Sequence, residues 1–338
     1  MATEFAGISI GIEVNCDMRI SVLALDGVFD TGLSVILDAL AAANKLSVMQ
    51  MGGAVHFDVS LVGIRRRVRS GQGFAIPVKP ISPDIKPDWV ILPALGTTTP
   101  SLLLPALERP DVQDAKRQLT KWHAEGSKLA SSCIGTFLLA DAGLLNKREA
   151  TTTWSLAPLF RQRYPEVQLD ESRMLVPSDI GVTAGAAMGH LDMVLWLIRK
   201  SSPELAVTVS RYFLADFRSS QAPYIIPNHL ANADPVIQKF ERWSRDRLNE
   251  GFSLQEAASS LAMSPRTLQR RCEAVLGKSP LSYFQDLRVE RAQSLLHGSG
   301  LDLEAIAAKV GYADGATLRS LLRKRLGRGV RELRSEIR

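Results

Sequence analysis

The spacing of apolar residues changes character once along this chain, and that change constrains the fold more than any other feature. Between Arg19 and Ile198 short apolar runs alternate with stretches of helical period, whereas from Pro235 onward every periodic segment is helical. The runs at 19–25, 55–62, 89–92, 128–131, 150–153 and 180–183 predict strands. Helical periods pass through Leu33, Ile36, Leu37, Leu40 and Ala43 and cover 111–125, 135–142 and 189–198. Such alternation predicts an α/β domain with a largely parallel sheet, helices on both faces and ligands at the carboxyl ends of the strands. The helical remainder predicts a separate all-α domain with helices at 235–249, 253–260, 265–275, 280–296, 302–308 and 315–326. Residues 1–18 read as an N-terminal extension, 19–227 as the α/β domain, 228–234 as a linker with the boundary close to Asn232, and 235–338 as the all-α domain.

Charge follows the same division. The chain of 338 residues has a formal net charge of +6, but residues 234–338 hold 19 Lys and Arg against 13 Asp and Glu, leaving 22 of each sign elsewhere. A neutral body with a basic tail excludes a diffuse polycation and points the tail toward an anionic polymer. The three cysteines, Cys16, Cys133 and Cys272, are odd in number and widely spaced, which argues against a disulfide framework and for a reducing compartment. Neither a metal-ligand spacing, nor a basic-flanked signal peptide, nor an apolar run near 20 residues is evident, so a cytoplasmic protein with no cofactor and no membrane partner is expected.

Two segments of the tail share one plan. Ser253, Leu254, Gln255 and Glu256 read as a capping box, and Ser264-Pro265 opens a second helix whose Leu268, Cys272 and Val275 pack while Arg266, Gln269 and Arg270 share another face. About fifty residues later Asp302 and Glu304 precede Ile306, Ala307 and Val310, a turn at 311–314 follows, and a helix buries Leu318, Leu321 and Leu322. Its outward side offers Ala316, Thr317, Arg319, Ser320, Arg323 and Lys324. These are two helix-turn-helix units joined by a helix with the stripe Leu281, Phe284, Leu287 and Leu295. The stretches SLQEAASSLAMSPRTLQRRCEAVLGKSPLSYFQDLRVERAQSLL and DLEAIAAKVGYADGATLRSLLRKRLG resemble the AraC/XylS-type DNA-binding domain. The resemblance implies a seven-helix module with recognition helices near 265–273 and 315–325 in successive major grooves. Leu318, Leu322, Ser320 and Val330 depart from the residues usual there. Arg266, Gln269 and Arg270 are candidates for base edges, because Arg and Gln can bond guanine and adenine in a bidentate way, and Ser264 and Thr267 are further DNA-binding candidates. Arg271, Arg319, Arg323, Lys324 and Arg325 are candidate phosphate contacts, with Ala316, Thr317 and Ser320 on the same surface.

In the first domain the sharpest motif is Ser131-Ser132-Cys133-Ile134-Gly135, where a strand turns into a helix with a cysteine at the corner. This reads as a nucleophile elbow, and a helix N-terminus beside the thiol is expected to lower its pKa. The segment SSCIGTFLLADAGLLNKREATTTWSLAPLFRQRYPEVQLD with VTAGAAMGHLDMVLWLI resembles the class I glutamine amidotransferase-like (ThiJ/PfpI) domain over roughly 19–225, in the form fused to AraC-type regulators. That resemblance implies a flavodoxin-like sandwich and a dimerising, ligand-sensing role. Relatives place histidine where this chain has Thr153, and an acidic residue where it has Gly32. Threonine cannot act as a general base near neutral pH, so no catalytic residue is assigned and the elbow reads as pocket architecture. Candidate ligand residues are Gly27, Asp30, Gly96, Thr97, Cys133, Ile134, Thr153, Trp154 and His190. The expected protein is therefore not an enzyme but a transcription activator, a homodimer that binds double-stranded DNA, RNA polymerase and a small-molecule effector. A ThiJ/PfpI-like cysteine hydrolase or lyase with an accessory DNA-binding tail is the alternative, and redox sensing at Cys133 a third reading.

Overall fold

A computed structural model describes residues 17–82, 86–231 and 233–335. The extension through residue 16, Cys16 and the boundary residue Asn232 lie outside the described residues. In chain order the first domain comprises β1 (Asp17–Ala24), α1 (Asp30–Met51), β2 (His56–Gly63), β3 (Val68–Arg69), β4 (Ala75–Ile76), β5 (Lys79–Pro80) and β6 (Trp89–Leu92). Then follow α2 (Pro100–Leu107), α3 (Pro110–Ala124), β7 (Lys128–Ser132), α4 (Gly135–Asp141), β8 (Glu149–Ala150), α5 (Ala157–Arg163) and β9 (Gln168–Leu169). The domain closes with β10 (Leu175–Ser178), β11 (Gly181–Ala184), α6 (Gly189–Ser201) and α7 (Pro203–Tyr212).

Seven strands form one sheet in the order β10-β11-β7-β6-β1-β2-β5. Every pairing in it is parallel except that of β10 with β11. Side chains alternate across the sheet, so β1 sends Leu23 to one core and Ile20, Val22 and Ala24 to the other. The first core packs under Leu103 and Leu107 of α2, Leu119 and Trp122 of α3, Phe137 of α4 and Phe160 of α5. The second packs under Ile36 and Leu40 of α1, Val194 and Ile198 of α6, and Val209 of α7. The result is an α/β sandwich of the flavodoxin-like kind. The run 150–153 departs from expectation: β8 pairs only with β9, and Thr151 satisfies its N–H through the Thr183 hydroxyl at 2.9 Å rather than through a ladder. Proline hid α2 and α7, since Pro100 and Pro203 sit at their first turns where a missing N–H costs nothing. Among the described residues α1 is the one helix long and apolar enough to cross a membrane, contrary to the expectation of no such run. Its stripe Leu33, Ile36, Leu40 and Ala43 is buried against α6 and α7, which makes it a core helix of this domain.

The segment read as a linker carries a helix instead, α8 (Pro227–Ala231), because Leu230 and Ala231 have an apolar core to enter. Seven helices follow: α9 (Pro235–Arg245), α10 (Leu254–Ser260), α11 (Pro265–Leu276), α12 (Pro280–Gly298), α13 (Leu303–Lys309), α14 (Gly315–Leu326) and α15 (Val330–Ser335). α9 ends earlier than its apolar period, and α15 was not foreseen; its Leu333 is buried. Two cores divide this domain. Leu268, Cys272 and Leu276 of α11 join Phe240, Tyr283, Phe284 and Leu287 in one, and Leu318 and Leu322 of α14 join Val289, Ala292 and Ile306 in the other. α12 contributes to both and so fixes one hairpin relative to the next.

Candidate nucleic-acid interface and cysteine elbow

Each helical hairpin is built by caps at its turn. Ser253 caps α10 by accepting the Glu256 N–H at 3.3 Å, and Ser264 caps α11 by accepting the Thr267 N–H at 3.1 Å. In the second unit Asp302 and Asp314 accept the N–H groups of Ala305 and Thr317, both at 2.7 Å. The chain passes through left-handed backbone two residues beyond each first helix, at Ala262 with φ 54° and Gly311 with φ 78°. Only glycine fits the second turn, because a Cβ there would meet the Leu248 carbonyl oxygen at 2.5 Å. Buried Leu268 and Cys272, and Leu318 and Leu322, fix which way each second helix faces.

That orientation leaves Arg266 and Arg270 exposed on α11, and Ala316, Thr317, Arg319, Ser320, Arg323 and Lys324 exposed on α14. Neither Arg266, Arg270, Arg319, Arg323 nor Lys324 makes an ion pair among the described residues. Ser264 and Thr267 are engaged in the cap, their hydroxyls 2.9 Å apart, and the Gln269 amide donates to Glu273 at 2.5 Å. Two expected phosphate contacts are held elsewhere. Arg271 clamps Asp234, the cap of α9, with Nη2 at 2.7 Å from its carboxylate, and Arg325 bonds Asp286 at 3.0 Å and Gln285 at 2.8 Å on α12. The Arg271 guanidinium helps hold the Asp234 carboxyl below the usual carboxylate range, against the opposing effect of its burial.

At the elbow Cys133 adopts φ 55°, a left-handed conformation costly for a side chain with a Cβ. Its N–H donates to Ala184 O at 2.8 Å and its carbonyl accepts from the Thr152 hydroxyl at 2.7 Å, so β11 and the threonine run hold the corner. Thr153 hydrogen-bonds the thiol, as does the Ile134 N–H, but burial outweighs both and pushes the thiol up to about 11. The expected lowering by the helix terminus is thus reversed. α4 is a short helix, and the apolar surroundings of the corner outweigh its terminus. In a Cys16→Ser, Cys272→Ser background, iodoacetamide alkylation of Cys133 should be slow at pH 7 and climb about tenfold per pH unit toward 11. A midpoint below 8 would contradict this picture.

His190 is fully buried and both ring nitrogens are used on backbone. Nε2 accepts the Ala94 N–H at 3.1 Å, which places the proton on Nδ1, 2.6 Å from Ala187 O. A Cβ on Gly32 would approach Nε2 to 2.8 Å, so the imidazole fills the space an acidic residue would need. Burial pulls the His190 pKa down to about 4. The unfolded chain, near 6.5, therefore takes the proton first, and the stability His190 contributes is complete above about pH 6.5 and lost as pH falls toward 4. Urea titrations at pH 7.5 and 4.5 should show the advantage of the wild type over His190→Gln shrinking by about 2–3 kcal/mol; an advantage independent of pH would contradict it.

The remaining candidates fall into two groups. Gly27, with φ 73°, gives its carbonyl to the Gly96 N–H at 2.6 Å, and Asp30 accepts the Gln72 N–H at 3.0 Å, so these residues knit the ends of β1 and β6 to the β3–β4 turn. Thr97 stands beside Gly96 with a buried hydroxyl that has no partner among the described residues. Trp154 turns away from Cys133: its ring lies edge-on to His229 at 5.4 Å and packs against the first core of the helical domain. Gln221, which no sequence pattern marks, is fully buried, and its amide donates to Thr151 Oγ1, Thr152 O and Arg173 O at 2.9–3.1 Å. No periodicity marks a lone glutamine, so nothing in the sequence could have found it.

Residues 257–336 match a family described as a helix-turn-helix domain. Over 192 residues the chain is 27% identical to the HTH-type transcriptional regulator GbdR of Pseudomonas aeruginosa, spanning 56% of this chain and 52% of that protein. Over 243 residues it is 27% identical to the HTH-type transcriptional regulator ArgR of the same organism, spanning 69% and 70%. The C-terminal helices form an AraC-type helix-turn-helix domain. An AraC family transcriptional regulator from Pseudomonas putida superposes with a TM-score of 0.48 at 20% identity, covering 58% of this chain and 99% of that one. The chain spans about half the length of GbdR. Within the AraC-type domain, α11 and α14 are the second helices of the two hairpins.

Proposed function

We propose that this protein is a sequence-specific DNA-binding transcription regulator whose α/β domain senses a small molecule. The observation that carries the reading is the pair of capped hairpins that present Arg266 and Arg270, and Arg319, Arg323 and Lys324, outward without acidic partners among the described residues. Unpaired arginines on the exposed side of a second hairpin helix suit base edges and phosphates, and two such helices suit successive major grooves about 34 Å apart. The names of GbdR and ArgR agree with this role. In this reading the protein activates transcription with RNA polymerase as a partner, and a homodimer presents four recognition helices to direct or inverted half-sites.

The α/β domain works in this reading as a sensor and not as an enzyme. Acyl transfer or lyase chemistry at Cys133 would need a thiolate and a base, and the thiol is pushed to about 11 while His190 is spent on Ala94 and Ala187. An effector at the ends of β1, β6 and β7 has a short route to the helical domain. Thr153 touches the thiol, the next residue, Trp154, packs on His229 of α8, and Gln221 ties the threonine run to the segment that leads out of the domain. Allostery requires that the effector distinguish two states. The test is to titrate small metabolites against the protein bound to its operator. A ligand that shifts DNA affinity or DNase footprint supports sensing, and a full metabolite screen that never changes either removes it.

A further inference from the structure

The helix that carries Arg266 and Arg270 ends against the α/β domain, where α5 packs on α11. α11 closes on Gly277, in left-handed backbone with φ 66°, whose N–H donates to Glu273 O at 3.0 Å. The guanidinium of Arg161, on α5, lies over this end, and a Cβ on Gly277 would overlap its Cζ and Nη2. Arg161 is held there by its ion pair with Glu171, both side chains being nearly buried. No hydrogen bond runs from Arg161 to α11 among the described residues, so the contact rests on packing and on charge. A helix C-terminus favours a cation, and α11 has no basic residue of its own in its last turn. α14 is built differently. It too closes on a left-handed glycine, Gly327 with φ 70°, but its own last turn carries Arg323, Lys324 and Arg325. A Cβ on Gly327 would meet nothing within 4 Å among the described residues. Beyond that end the α/β domain touches Arg328 through the hydroxyl of the half-exposed Tyr224 at 3.2 Å.

We propose that Arg161 is a latch that seats the first hairpin on the α/β domain, supplying from the other domain the cation that the end of α11 lacks. Gly277 serves the latch twice, as the left-handed cap and as the space that the guanidinium fills. The direction of α11, and with it that of Arg266 and Arg270, is thereby set by α5. Because α5 begins just after Thr153 and Trp154, the Cys133 corner and the first hairpin meet at the two ends of one short segment. The latch joins folded domains and is read without DNA or an effector, so it stands or falls separately from the regulator reading.

The two glycine caps provide the control. Gly277→Ala and Gly327→Ala bring the same left-handed strain to a helix end, but only the first drives a methyl into Arg161. The experiment is amide hydrogen exchange of the full chain, read at α5, on the far side of the seat. A helix of seven residues owes its protection to packing. Exchange in α5 should rise about tenfold in Gly277→Ala and keep the wild-type rate in Gly327→Ala. In an Arg161→Ala, Glu171→Ala background, where neither buried charge is left unpaired, adding Gly277→Ala should change α5 no further. That background by itself, with both glycines intact, should speed exchange at 273–277 about tenfold and leave 323–327 unchanged, so a folding defect in Gly277→Ala does not obscure the result. Equal exchange at α5 in the two glycine variants, an undiminished effect of Gly277→Ala once Arg161 is gone, or unchanged exchange at 273–277 in the Arg161→Ala, Glu171→Ala protein would overturn the latch.

Discussion

Arg288→Ala should cost the helical domain about 3–5 kcal/mol of stability, the largest single-residue effect expected in this chain. Arg288 lies on α12 with 8% exposure and faces no carboxylate among its hydrogen-bond partners. Its charge is held instead by the Leu248 carbonyl, 2.9 Å from Nε, by the Glu250 carbonyl at Nη2, and by the faces of Phe284 at 4.7 Å and Tyr312 at 4.9 Å. These partners come from the loop before α10, from α12 itself and from the turn of the second hairpin, so one side chain joins both units. Truncation opens a cavity, orphans two carbonyls and removes two cation–π contacts, each worth about 0.5–2 kcal/mol when desolvated. Arg288→Met should recover part of the loss by restoring volume, but not the carbonyl bonds. Urea unfolding followed by far-UV circular dichroism measures this, and a change within about 0.5 kcal/mol for the alanine variant would refute the assigned role.

The double variant Arg266→Ala, Arg270→Ala should lose about 10²–10⁴ in affinity for a cognate duplex, at roughly 1–3 kcal/mol for each bidentate base contact. Its affinity for random duplex should fall far less. Both arginines are exposed and free of ion pairs among the described residues, so neither has an internal partner to give up on binding. Gln269 differs, since it must first release Glu273. Arg323→Ala with Lys324→Ala should behave in the opposite way: weaker binding to every sequence, a slope of log affinity against log salt reduced by about 0.9 per charge, and an unchanged specificity ratio. Filter binding at several salt concentrations separates the two patterns. Equal losses on cognate and random DNA for the α11 pair would reverse the assignment of base and phosphate contacts.

What the sequence disclosed, and what it hid, follows from how far each feature depends on distant partners. Apolar period and cap chemistry are local, so α10, α11, α13 and α14 were legible to within a residue or two, as were β1, β6 and β7. The basic excess of the last third is a sum over residues and needs no structure. Arg271 and Arg325 were read as phosphate contacts because they share a helix with free arginines. Asp234 and Asp286, 37 and 39 residues away in sequence, decide otherwise. His190 and Gly32 present the same difficulty in the α/β domain: an imidazole occupying the place of a carboxylate becomes visible only once α1 and α6 are packed together. The elbow was legible as a strand-to-helix corner, yet the pKa of its thiol is set by burial, which no local pattern reports. Arg288, Gln221 and Arg161 act through buried contacts between segments and left no trace in the periodicity.

Whether α11 and α14 read DNA sequence together is decided by selecting the full chain's preferred sites from a random duplex library and measuring affinity for the winner and a scrambled duplex at one salt concentration. The selected sites should show two blocks of specified bases one helical turn apart, about 10–10.5 base pairs centre to centre, and a preference of about 10³ or more over the scrambled duplex. A library that yields no preferred sequence, with an affinity ratio near one, would contradict it.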